Sequence, residues 1–279
     1  MERDRIEWVR PVPTGGRVRM ALLDLDGTLS LIRAGWQSVM AEMMIQGLQA
    51  LRTGEAPEAL SAETREMIGA TTGKPTAVQM EAYVSLIHRR GGSPPTVEDC
   101  LTDYKQRLSR VISTRKRAIA RGDFPPDHYM VPGARAFLEE LDRRGIRMVL
   151  ASGTDHNDVV LEAELLQITR FFRLGICGAV PAPAEFTKER LVERLIAARL
   201  YAGDEMLAIG DGPAEIAAVA GVGGLAVGVA SDEHDPGELD LQKRERLIAA
   251  GAHAIVADLS APAALLDGLR VGAPGANGG

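Results

Sequence analysis

From Val18 to Leu23 the chain reads Val-Arg-Met-Ala-Leu-Leu and then stops at Asp24. A short apolar run that ends in a turn predicts a buried strand. Between Leu31 and Arg121 there is almost no further strand signal. Helical stretches are predicted instead over 32–51, 62–68, 76–90 and 97–121, punctuated at Gly54/Pro57, Gly73/Pro75, Gly91–Pro95 and Gly122–Pro126. From Val131 the texture changes. Pro132-Gly133 opens a helix with Phe137, Leu138 and Leu141 on one face, closed by Arg143, Arg144 and Gly145. Strands are then predicted at 146–151, 176–177, 205–209, 224–229 and 254–256, and helices at 155–167, 187–200, 213–220 and 238–250. This alternation implies an α/β fold with a parallel sheet and right-handed crossovers. The expected organisation is a leader at 1–17, a core of 18–30 with 128–267, a helical block at 31–127 inserted over the sheet edge, and a flexible Gly- and Ala-rich tail at 268–279.

The length of 279 residues makes two domains plausible. A net charge of −6 argues against a nucleic-acid partner, which would need a basic patch. Cys100 and Cys177 lie far apart without metal-type spacing and read as reduced thiols. No apolar run approaches the length of a membrane span, so no membrane partner is expected. The opening residues are charged and have no signal-peptide core, which makes a cytoplasmic enzyme the expectation. The pattern carries no signal for oligomeric state.

The candidate chemistry gathers where predicted strands end. The first ends in Asp24-Leu25-Asp26-Gly27-Thr28, the second in Ser152-Gly153-Thr154-Asp155, and a later one in Gly210-Asp211-Gly212-Pro213-Ala214-Glu215. Thr187-Lys188 lies near the start of a helix. Open α/β sheets bind ligands at this edge. Side chains two apart on an extended chain share a face, so Asp24 and Asp26 could reach one ligand. Alone, Ser152 would equally serve as a helix N-cap, and Lys188 alone would be a surface lysine.

In order and identity these pieces resemble the haloacid dehalogenase-like superfamily. The matching residues are DLDGT at 24–28, the serine of ASGT at 152, Lys188, and GDGPAE at 210–215, over about 18–258. The resemblance implies a Rossmann-like three-layer core with an inserted all-helical cap of the C1 type. It is nearest to sugar-phosphate phosphatases and beta-phosphoglucomutase-like proteins. It implies that Asp24 is a nucleophile forming an aspartyl-phosphate and that Asp26 is a general acid and then a base. Ser152 and Gly153 would bind the phosphoryl group, and Lys188 the nucleophile and the phosphate. Asp211 would hold Mg²⁺ with Asp24 and the backbone carbonyl of Asp26. Many relatives carry a second aspartate where this chain has Glu215, which would either join the metal shell or orient a neighbour.

Around this set, Lys74, Arg33, Trp36 and His156 are candidates to touch substrate, or else are packing and surface residues. Asp155 reads as an N-cap, Arg115-Lys116-Arg117 as a solvated helix face, and Met40, Met43 and Met44 as core of the insertion. The expected function is Mg²⁺-dependent hydrolysis of a small phosphorylated metabolite, a sugar or polyol phosphate. A sugar phosphomutase would use the same residues, and a non-catalytic binding module would be expected to lose the nucleophile. Hinges are expected at 27–30 and 122–127.

Overall fold

The computed structural model describes residues 6–13, 18–71, 76–179, 187–233 and 235–272. It divides into two compact units, one of residues 1–34 with 116–279, the other of residues 35–115.

The first unit is built on a seven-stranded sheet: β1 (Ile6–Trp8), β2 (Met20–Leu23), β3 (Arg147–Asp155), β4 (Ile176–Ala179), β5 (Met206–Gly210), β6 (Leu225–Val229) and β7 (Ala254–Val256). The spatial order is β1-β7-β6-β5-β2-β3-β4. β2 pairs in parallel with β3 on one side and β5 on the other, with Leu23 opposite Leu150 and Ile209. That register brings the residues that follow Leu23 and Ile209 out at the same edge.

All four β2 residues are buried. Met20 and Leu22 share a core with Val192 of α7 (Lys188–Ala197), Ile216 of α8 (Pro213–Ala220) and Leu247 of α9 (Leu241–Ala250). Ala21 and Leu23 point the other way, as strand alternation requires, and are equally inaccessible. A strand buried on both faces reads as a continuous apolar run, which is why β2 was legible. α5 (Ala134–Arg143) and α6 (His156–Leu165) both pack on β3.

The stretch read as a leader contributes β1, which pairs antiparallel with β7 through Ile6–Val256 and Trp8–Ala254. Its three residues are too few for a periodic signal, and they are ordered by the neighbouring edge. Nor does burial stop at 267. Helix α10 (Pro262–Gly268) is followed by Leu269 and Val271, both buried, and Arg144 donates to the Val271 carbonyl at 2.7 Å. β3 continues through Asp155, beyond its predicted end at Ala151.

The second unit is helical: α1 (Trp36–Gln49), α2 (Pro57–Thr71), α3 (Thr76–Arg89) and most of α4 (Val97–Ala120). Met40, Met43 and Met44 are buried there with Leu60, Met80 and Tyr83. Cys100 lies buried in α4 and Cys177 half-buried in β4, both as free thiols. The change of unit falls after Ala34 and after Arg115. The segments expected to be hinges lie within the first unit, where backbone bonds tie residues beside them together. Leu31 N–H donates to Tyr129 O at 2.8 Å and Val131 N–H to Leu29 O at 3.1 Å. Among the described residues no helix is long and apolar enough to cross a membrane.

Candidate active site

Asp24 follows β2 directly and is 7 % exposed; its N–H donates to Ile209 O at 3.0 Å. After it the chain winds tightly. The Leu25 carbonyl accepts from Leu29 N–H at 2.9 Å and Ser30 N–H at 2.8 Å, and Gly27 N–H donates to Ser30 O at 3.0 Å. Gly27 takes φ +72°, the left-handed region that costs other residues about 1–2 kcal/mol. A Cβ there would stand 2.2 Å from Asp211 Oδ2. The turn thus demands glycine both for its backbone and for the carboxylate packed against it.

Lys188, the first residue of α7, places Nζ 2.7 Å from Asp24 Oδ1 and 2.7 Å from Glu215 Oε2. Thr187 caps that helix by accepting from Arg190 N–H at 3.2 Å. Glu215 is fully buried, and its other oxygen accepts from Gly212 N–H at 2.9 Å, closing the start of α8. Gly210 makes room for it, since a Cβ there would lie 1.8 Å from Glu215 Oε1. Asp24, Asp211 and Glu215 each offer an oxygen within 4.8 Å of the others. Three convergent carboxylates suit a hard cation such as Mg²⁺, which takes oxygen ligands and keeps several waters. The fit is chemical as well as spatial, because Lys188 alone does not neutralise the group.

Asp26 faces elsewhere. Its Oδ2 accepts from Thr154 Oγ1 at 2.7 Å and Ser152 Oγ at 3.3 Å. Its Oδ1 lies 3.6 Å from Arg33 Nε. Ser152 is buried within β3, three residues before its end, and accepts from Thr154 N–H at 3.1 Å. Gly153 is exposed, with open space where a Cβ would be. Asp155 caps α6, accepting from Asn157 N–H at 3.0 Å, and His156 takes the first turn beside Gly178.

Arg33 is held by more than Asp26. Its Nη2 lies 2.7 Å from Glu162 Oε1 and 3.2 Å from Asp158 Oδ2. Glu162 is fully buried and also meets Lys116 Nζ at 2.8 Å. Lys116 therefore departs from the solvated face predicted for 115–117. It sits near the end of α4, and the buried Glu162 draws its ammonium inward. Trp36 opens α1 and packs with the core of the second unit. Lys74 lies outside the described residues.

Burial pushes the Asp24 carboxyl well above the usual range, against the pull of Lys188 and with repulsion from Glu215 and Asp211. Burial likewise raises Asp26 to about 6, opposed by Arg33 and the Thr154 bond and reinforced by Glu162 and Asp211. Burial would depress Lys188, but Asp24 and Glu215 outweigh it and hold the ammonium charged.

Sequence reasoning found the strand-end residues and missed Thr154, Glu162 and Lys116. Thr154 carried the one available signal, since it stands two residues beyond Ser152 in a predicted strand-end loop. The others lie on helices with nothing local to mark them.

The family description "haloacid dehalogenase-like hydrolase" matches residues 18–223, which includes every strand-end carboxylate above. The chain belongs to this family. Solved structures share its fold at low identity. A protein described as a predicted phosphoglycolate phosphatase from Haemophilus somnus is 16% identical with a TM-score of 0.56, covering 87% of this haloacid dehalogenase-like chain and 95% of its own. One provisionally assigned as beta-phosphoglucomutase from Thermotoga maritima is 15% identical with a TM-score of 0.57, covering 90% and 99%. A haloacid dehalogenase family hydrolase from Deinococcus radiodurans, holding phosphate and sodium, is 16% identical with a TM-score of 0.56, covering 91% and 97%. No curated protein matches this hydrolase in sequence.

Proposed function

We propose that this hydrolase is a Mg²⁺-dependent phosphatase, removing phosphate from a small metabolite, a sugar or polyol phosphate, through an aspartyl-phosphate on Asp24. One observation carries the reading. Two carboxylates a single residue apart are held in different environments, Asp24 on Lys188 within the acidic cluster and Asp26 on Ser152, Thr154 and Arg33. Pairs of acids separated in this way divide nucleophile and acid–base work between them.

Asp24, Asp211 and Glu215 would hold the cation, with the Asp26 carbonyl as a further ligand. When bound, Mg²⁺ supplies charge neutralisation for the phosphoryl oxygens and the approaching carboxylate. An Asp24 oxygen attacks phosphorus, and the bond from phosphorus to the ester oxygen breaks. Asp26, protonated up to about pH 6, gives its proton to that leaving oxygen. Water then attacks phosphorus, Asp26 takes a proton from it, and the bond to Asp24 breaks to release phosphate. Splitting the transfer in two makes each step easier. Lys188 screens the repulsion between Asp24 and the dianionic ester. Ser152 and the Gly153 backbone would receive phosphoryl oxygens.

Arg33 is engaged by three carboxylates, which favours a role on Asp26 over one on substrate. Hydrolysis of an aryl phosphate tests the proposal. Mg²⁺-dependent phosphate release that D24N abolishes is expected. A metal-loaded wild type inert to sugar, polyol and aryl phosphates would instead favour a binding module. Phosphate handed to a second sugar hydroxyl, with none released, would identify a mutase.

A further inference from the structure

Lys243 lies in the first turn of α9, where Asp240 caps the helix by accepting from the N–H groups of Gln242 at 2.8 Å and Lys243 at 2.9 Å. It is 8 % exposed. Its Nζ reaches back across the sheet edge to Asp211 Oδ2 at 3.0 Å and Glu233 Oε1 at 3.0 Å. The same Asp211 oxygen is packed against the Gly27 turn. Asp211 is therefore gripped from two sides, by the turn behind the nucleophile and by an ammonium from a helix that begins thirty-odd residues later.

A carboxylate at a strand end otherwise turns freely about its last bond. With Oδ2 held, its remaining oxygen has a fixed direction. Partners of this kind, one bond removed from a metal, typically change its affinity by about 10- to 100-fold. The charges also balance. Asp24, Asp211, Glu215 and Glu233 against Lys188 and Lys243 leave two negative charges, the number that one divalent cation neutralises. Glu233 shares the Lys243 charge, so the ammonium orients Asp211 without fully opposing a cation.

We propose that Lys243 is a positioning residue which, through Asp211, fixes one ligand of the divalent cation and so sets the affinity of the site for it. This rests on the reading of Asp24, Asp211 and Glu215 as ligands. The test is Mn²⁺ titration of the metal-free chain without substrate, followed by the electron paramagnetic resonance of free Mn²⁺, with folding checked by circular dichroism. Wild type should bind Mn²⁺ at a site that D211N loses. Lys243→Met should weaken binding by about 10- to 100-fold, and Lys243→Arg, which keeps charge and donor, should recover most of it. Glu233→Ala, which frees one side of the ammonium, should weaken binding in the same direction as Lys243→Met. Unchanged or tighter binding in folded Lys243→Met would overturn the proposal, because a lysine that merely competes for Asp211 would give that result. If Lys243→Met does not fold, unchanged binding in Glu233→Ala overturns it. A wild type that binds no Mn²⁺ overturns the ligand reading and this inference together.

Discussion

Asp26 is the residue whose surroundings do most to define the chemistry. Its raised pKa has a direct kinetic consequence. If Asp26 is the proposed acid, its carboxyl would carry the proton for a leaving alkoxide below about pH 6 and would have lost it above. With an alkyl phosphate, kcat/KM should therefore fall as pH rises through about 6. Arg33 lowers this pKa, so Arg33→Met should carry the falling limb to higher pH. A limb that stays put, or moves to lower pH, would show that Arg33 does not act on Asp26. The same shift bears on stability. Between the ordinary value of 3.8 and about 6 the folded chain holds a proton that the unfolded chain has released, so this group's contribution declines as pH rises across that window. Gly27 gives a second test at this scale. Gly27→Ala combines an unfavourable φ with a Cβ 2.2 Å from Asp211 Oδ2. It should lower Mn²⁺ affinity together with turnover, which a titration and a rate assay on the same preparation would reveal.

At the scale of elements, the parallel register of β2 with β3 and β5 turns three separate sequence segments into one site. Those segments were legible because each buried strand is an uninterrupted apolar run that ends abruptly in polar residues. Asp24, Asp26, Ser152 and Asp211 could be read for that reason, and Lys188 and Glu215 from their order in the chain. What was not legible came from helix faces and edges. Glu162 sits mid-helix among ordinary neighbours, and only folding buries it against Arg33 and Lys116. Lys243 and Glu233 depend in the same way on a contact far along the chain. β1 owes its strand to an edge it borrows from β7. The Glu162 network is open to a stability test. Removing one member of a buried ion cluster strands the others, at about 3–5 kcal/mol. Glu162→Ala should lower unfolding free energy by that amount in urea, and a change below about 1 kcal/mol would mean that its partners rehydrate freely.

For the whole molecule, the two units hold separate cores, one around the sheet and one around the methionines of α1. Met44 is fully buried in the second. Met44→Ala should destabilise that unit by about 2–5 kcal/mol and leave Mn²⁺ binding by Asp24, Asp211 and Glu215 unaltered. A loss of metal affinity in that variant would mean that the cation site depends on the helical insertion for its geometry. The proposed aspartyl-phosphate on Asp24 can be examined chemically. With an aryl phosphate, whose leaving group departs without a proton, D26N should complete the first transfer and stall before the second. Acid quenching and mass analysis of the peptide that carries Asp24 should then find one added phosphoryl group in D26N and none in D24N. Phosphate release by D24N at the wild-type rate, with that peptide unmodified in D26N, would rule out Asp24 as the nucleophile.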